Sequence, residues 1–224
     1  MKQVLDRGFV KLVDFVGGDS RVIECARVSR GGTTRGDSRD RKLLSFLIKN
    51  DHLTPFETSI FAMHVKCPIF VARQWMRHRW GVFNELSGRY AEFNINDYYV
   101  PEELFTQSKL EKHSTTRANF SFLEKKEIYE LIKYANAVSA TTYKKLLELG
   151  LAKEQARIIL PLSMYTEFYW TVHARALMHF LELRLSEHAQ YEIRQYASVV
   201  CDYFQEKMPW TYEDFYYKKL YKPV

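Results

Sequence analysis

Ser59-Ile60-Phe61-Ala62-Met63-His64-Val65-Lys66-Cys67-Pro68-Ile69-Phe70-Val71-Ala72-Arg73-Gln74-Trp75-Met76-Arg77 changes period at its proline. From Ser59 to Cys67 the pattern alternates, which predicts a strand with one buried face. Pro68 has no amide hydrogen to lose and a φ suited to a first helical turn, so it opens a helix expected over 69–77. A strand running straight into a helix places the chain in the mixed α and β class. In that helix Gln74 and Arg77 share a face, and Arg73 and Arg77 stack at i, i+4. The helix therefore delivers a charged cluster from its C-terminal end.

The cluster continues as Arg77-His78-Arg79-Trp80-Gly81-Val82-Phe83-Asn84-Glu85-Leu86-Ser87-Gly88-Arg89-Tyr90, with residues 80–90 expected as a loop. Arginine stays charged at working pH and offers a flat fork of donors matched to phosphate. Trp75, Met76 and His78 interleave with the charges, a mixture that a solvated surface helix does not need. Gly88 allows a backbone to approach a ligand closely. These residues point to a phosphorylated, planar, hydrogen-bonding ligand, and a nucleotide fits. Glu85 reads as a charge partner that pins a neighbouring arginine, which is compatible with a place in the site. Ser87 lacks both a Gly-x-Ser-x-Gly elbow and an obvious His–Asp pair, so its expected job is a hydrogen bond to ligand.

On the N-terminal side, the first ~30 residues read as one or two strands and a short helix, with Val10, Leu12, Val13 and Phe15 as core candidates. Ser29 to Asp40 has no apolar residue and reads as a mobile surface loop. Its Gly31…Gly36 spacing is not a phosphate loop, because Asp37 stands where lysine is required. A helix is expected over 41–49. Thr54-Pro55-Phe56-Glu57 has the form of a capping box, where phosphate contact and capping can coexist.

On the C-terminal side, a long amphipathic helix is expected over 120–149, ended by Gly150. A short helix carrying Arg157 stops at Pro161, and Met164 to Val172 reads as a strand. Helices over about 173–185 and 186–207 finish before Pro209. The pattern does not place the aromatic, basic tail from Trp210. At ~100° per residue Arg175 and His179 share one helix face, while His173 and Arg184 share nearly the opposite one. This reads either as an ordinary bundle helix or as one buried between subunits that serves ligands on both sides.

The chain has 224 residues, 46% of them hydrophobic, enough for a sizeable core, and the 1–224 span reads as one domain. Cys25, Cys67 and Cys201 are far apart, which argues against a disulfide framework and suits a reducing cytosol. No His-Glu-x-x-His or paired-cysteine spacing supports a metal site. No secretory segment and no apolar run of ~18 residues is seen, so a cytoplasmic location is expected, without membrane association. The net charge of +6 attracts anions, but lysines scatter over solvated faces while arginines gather near 73–89. Small anionic molecules explain that split better than nucleic acid does.

The residues quoted above closely resemble the flavin-dependent thymidylate synthase family. Its hallmark, Arg-His-Arg then seven residues then Ser, is met by Arg77-His78-Arg79 and Ser87. Gln74, Asn84-Glu85, Gly88-Arg89-Tyr90 and Thr54-Pro55-Phe56-Glu57 extend the likeness. So do Arg157 before Leu160-Pro161-Leu162 and the run from Arg175 to Leu183-Arg184. The resemblance implies an α+β fold, with a mainly antiparallel sheet flanked by helices, assembled as a homotetramer with active sites between subunits. It also implies conversion of dUMP to dTMP, with methylenetetrahydrofolate as carbon donor and FAD, reduced by NADPH, as hydride carrier.

Carried over by position, Ser29, Thr54, Arg77, His78, Arg79, Glu85, His173, Arg175 and His179 would contact FAD. Gln74, Arg77, Glu85, Leu86, Ser87, Gly88, Arg89, Arg157 and Arg184 would hold dUMP, and Arg184 would favour ionisation at uracil N3. Val82 stands where the family commonly carries serine, and His173 where asparagine is usual. Two rival readings remain at this point. One is a non-enzymatic nucleotide- or RNA-binding protein that uses the Arg77–Arg89 cluster. The other is a flavin enzyme acting on a different nucleotide.

Overall fold

The computed structural model describes residues 1–29, 31–34, 36–108 and 115–221. The alternating segment forms strand β3, Ile60–Pro68, which is central to a five-stranded antiparallel sheet. The other strands are β1 (Lys2–Val4), β2 (Gly8–Val16), β4 (Gly81–Glu85) and β7 (Tyr165–His173), in the order β1-β2-β3-β7-β4. Phe61, Met63, Val65 and Cys67 of β3 point into the core beside Phe168, Trp170 and Val172 of β7. A two-stranded ribbon of β5 (Phe105–Gln107) and β6 (Thr115–Arg117) lies apart from this sheet.

The buried face is covered by α3 (Ile69–Trp75), α6 (Ala174–Arg184) and α7 (Tyr191–Lys207). Trp75 is the pivot of this packing. Its ring stacks on Phe180 at 4.9 Å and meets Phe168, Trp170 and Tyr196 edge-on. Pro68 ends β3 and opens α3 as expected, and the amides of Ile69 and Phe70 bond to the carbonyls of Met164 and Leu162. The junction is thereby tied to the segment that leads into β7.

Around this core lie α1 (Asp19–Val28), α2 (Asp37–Lys49), the long α4 (Phe122–Glu148), the short α5 (Lys153–Ala156) and α8 (Pro209–Phe215). A full capping box between Ser121 and Glu124 starts α4, and Gly150, at φ +85°, follows its end.

Several expectations require correction. Residues 80–90 are not a loop throughout, because Gly81–Glu85 forms the edge strand β4 on β7. The helix α3 ends at Trp75, so Arg77 lies in the turn beyond it, outside the helical i, i+4 register expected with Arg73. Asp37–Asp40 is helical and belongs to α2, and Arg30 and Arg35 lie outside the described residues. Val13 is exposed because it is the extra residue of a bulge between Leu12 and Asp14. Thr54 opens a 3-10 turn, Thr54–Thr58, that has no side-chain cap, and Glu57 is drawn instead to Arg175. The tail from Trp210 continues α8 and then a wide turn over Tyr216–Leu220 that packs near α2.

Candidate active site

The turn between α3 and β4 carries Arg77-His78-Arg79, and α6 runs opposite it. Together they enclose a cavity of about 270 Å³ lined by Arg77, His78, Arg79, His179 and Arg184, with Trp170 in its wall. Two sequence-distant segments thus bring five of the expected residues into one place.

Arg184 is held at two points. Its Nε donates to His78 Nε2 at 2.9 Å, and its Nη2 donates to the Gln74 carbonyl at 3.1 Å. Its Nη1 has no protein partner among the described residues. Both acceptors are neutral, and among the described residues no carboxylate pairs with Arg184. Burial, and then the nearby Arg77, lowers the Arg184 pKa. For His78, burial first, then Arg184 and His179, pulls the pKa down to about 4. His78 is therefore neutral at working pH, with Nε2 as acceptor and its proton on Nδ1. The ring is also fixed edge-on against Phe180 at 4.9 Å.

Arg77 and Arg79 have no ion-pair partner among the described residues, an arrangement that leaves both forks for an anion. Trp80 also lines the cavity and lies 5.4 Å from His179, with the Arg175 guanidinium 5.8 Å from its ring. Gly81 has no room for a side chain, since a Cβ there would lie 2.3 Å from the Trp170 indole nitrogen. That nitrogen is buried without a hydrogen-bond partner among the described residues.

Beyond β4 the chain forms a second patch. Gly88 lies directly against Arg157, where a Cβ would meet the Arg157 Cδ at 2.8 Å. Arg89 pairs with the Glu154 carboxylate at 3.1 Å, and Arg157 Nε donates to the Glu154 carbonyl at 3.3 Å. Ser87 accepts the Tyr90 and Ala91 amides on its carbonyl and the Arg89 amide on its hydroxyl. Leu86 is exposed beside this patch. Glu85 does not pin an arginine; it accepts a hydrogen bond from the buried Thr166 hydroxyl at 2.8 Å.

The remaining candidates lie elsewhere on the chain. Ser29 lines a separate cleft with Arg39, Lys42 and His52. Thr54 is exposed on the 3-10 turn. His173 is the N-cap of α6, and its Nδ1 accepts the Ala176 amide at 3.1 Å. Arg175 pairs with Glu57 at 2.7 Å and faces another cavity, shared with Trp80, His179 and the tail lysines Lys218 and Lys219. Sequence reasoning missed Thr166, Glu154, Trp170 and Lys218. No local signal marks them, because each acts through a partner far along the chain.

The arrangement can hold an extended anion along the arginines and place one uncompensated cation on a flat ring. Comparison with known proteins bears on the family. A family model described as thymidylate synthase complementing protein matches residues 11–210. Proteins named flavin-dependent thymidylate synthase are similar throughout. That of Thermosipho melanesiensis is 48% identical over 95% of this chain and 92% of its own length. That of Thermus thermophilus is 43% identical over 95% of this chain and 77% of its own. A solved structure of a UMP/dUMP methylase, PolB from Streptomyces cacaoi, bound with 5-Br dUMP, covers both chains fully at 32% identity with a TM-score of 0.87. The match extends over the sheet, the Arg-His-Arg turn and α6 alike, and this chain belongs to the flavin-dependent thymidylate synthases, a family of enzymes.

Proposed function

We propose that this protein methylates dUMP at uracil C5 to give dTMP. Methylenetetrahydrofolate is the carbon donor, FAD reduced by NADPH is the hydride carrier, and tetrahydrofolate is released. The observation that carries this reading is Arg184, a fixed guanidinium held by two neutral acceptors and lining a cavity with two unpaired arginines. Methylation at C5 needs electron density pushed through the pyrimidine. A cation fixed near uracil N3 favours loss of the N3 proton and stabilises charge that develops in the ring. Neutral His78 keeps Arg184 oriented without neutralising it.

The chain's residues fit a flavin. The cavity offers guanidinium and imidazole donors for an anionic ring system, and an aromatic wall at Trp170. Arg77, His78, Arg79 and His179 would hold it, with Ser29, Thr54, Glu85, His173 and Arg175 as further contacts. Bound FAD supplies the redox chemistry of the transfer. Gln74, Arg77, Glu85, Leu86, Ser87, Gly88, Arg89 and Arg157 hold the nucleotide. In this reading Arg89 and Arg157, both tethered to Glu154, would take the phosphate.

Ser29 and Arg175 line different clefts from His78, a separation that supports sites completed between copies in a homotetramer. Exposed Leu131, Tyr134 and Val138 on α4 supply apolar surface for such self-association. The rival reading as a nucleic-acid binder has no specific observation in its favour.

An absorbance spectrum of the protein with FAD, before and after dUMP, tests the proposal. A flavin band that shifts with dUMP is the expected result. A protein that takes up no flavin, or a flavin indifferent to dUMP, overturns it.

A further inference from the structure

A chain of side-chain hydrogen bonds runs from the nucleotide site to the start of α7. Gln74 Nε2 donates to Gln190 Oε1 at 2.5 Å, and Gln190 Nε2 donates to Glu192 Oε2 at 2.8 Å. The Tyr99 hydroxyl donates to the other carboxylate oxygen, Glu192 Oε1, at 3.3 Å. Glu192 is only 8% exposed, and it lies in the first turn of α7, where the helix dipole favours its negative charge. Gln190 occupies the N-cap position of that helix but its side chain does not cap it, so the amide is free to bridge sideways.

The polarity of this chain is set at its buried end. An ionised carboxylate only accepts, so Gln190 must turn its NH2 toward Glu192 and its oxygen toward Gln74. Gln74 must then offer NH2 to Gln190. An isolated glutamine amide can flip; this one cannot without placing two acceptors face to face. The same residue's backbone carbonyl holds Arg184, so Gln74 links the nucleotide-binding surface to the cation.

We infer that Gln190 and Glu192 are positioning residues for the substrate, fixing the Gln74 amide in the single orientation that meets bound dUMP. The inference rests on the dUMP reading above. Neither residue reaches the cavity itself; each acts through Gln74.

A double-mutant cycle tests this in the FAD-loaded protein, with dUMP affinity read from the flavin absorbance change. Glu192→Gln keeps the shape but lets either amide rotate, and dUMP affinity should fall about ten-fold, the effect of losing one charge-assisted bond. Gln190→Ala, which removes the bridge and leaves the buried carboxylate in place, should give a similar fall even if Glu192→Gln folds poorly. In a Gln74→Ala background both substitutions should change affinity less than two-fold, because there is no amide left to orient. Equal falls in both backgrounds would mean a general structural effect and overturn the relay. Unchanged affinity in Glu192→Gln and Gln190→Ala would overturn it too. If the unsubstituted protein shows no dUMP response, the functional reading fails and the relay falls with it.

Discussion

Arg184→Ala should remove nearly all dTMP formation even when FAD and dUMP are held at saturation. The substitution deletes bonds of 2.9 Å to His78 and 3.1 Å to the Gln74 carbonyl, together with the cation that these two neutral partners hold. Losing a preorganised charge aimed at a developing anion costs about 10²–10³ in rate, roughly 3–4 kcal/mol of barrier. Arg184→Lys should fall between, since a single ammonium keeps the charge but cannot span both acceptors and still reach a ligand. The assay is single-turnover dTMP formation at saturating dUMP, with occupancy checked by flavin absorbance. A second readout is independent of turnover. Arg184 is one of the groups that depress His78, so in Arg184→Ala the His78 titration should move up from about 4, as followed by NMR. Ser87→Ala is the comparison. Its hydroxyl accepts the Arg89 amide and need not attack anything, so measurable turnover should survive. More than about a tenth of normal turnover in Arg184→Ala would refute the cation argument. An equally complete loss in Ser87→Ala would bring back a nucleophilic serine.

Acid should weaken the fold through His78. The unfolded ring takes a proton at about 6.5 and the folded ring resists until about 4, so this contribution is whole above pH 6.5 and is lost as pH falls toward 4. With solvent screening at a half-buried ring the loss is about 2 kcal/mol, and His78→Asn should flatten that part of the Tm–pH curve; equal slopes in both proteins would contradict it. Gly81→Ala drives a methyl to 2.3 Å from the Trp170 indole nitrogen and 3.1 Å from the Thr171 carbonyl. Calorimetry should show a loss of about 1–3 kcal/mol, and an unchanged Tm would mean that β4 shifts freely on β7.

The strand–proline–helix unit at 59–75 is legible in the sequence because its period comes from one packed face and one local breaker. The charged turn is equally legible, since Arg77 and Arg79 have no structural reason to cluster. β4 escapes the same reading for a physical reason. Gly81-Val82-Phe83-Asn84-Glu85 is short, polar at one end, and strand-like only because β7 offers it an edge. Val13 fails through a bulge, which a period-2 pattern does not contain. Glu85 and Glu57 show a further limit. Their charges are visible in the sequence, but their partners, Thr166 and Arg175, lie 81 and 118 positions away. The tail is the extreme case. Arg41 binds Glu213 and Asp214, and Lys218 caps the α2 carbonyls of Ile48 and Lys49, contacts that no window around residue 215 contains.

The strand order has a consequence for how the molecule folds. β4, which follows the Arg-His-Arg turn, pairs in the sheet with β7 alone, and β7 sits between β3 and β4 although 96 residues separate it from β3 and 79 from β4. Until β7 arrives, the turn has no sheet beneath it and α6 has nothing to face. Closing so long a loop costs entropy before any contact repays it, so assembly should be slow and should reach the site late. On the ribosome, the half of the chain that holds the arginines emerges well before the half that organises them. The arginine cluster is therefore among the last parts of the molecule to acquire its shape.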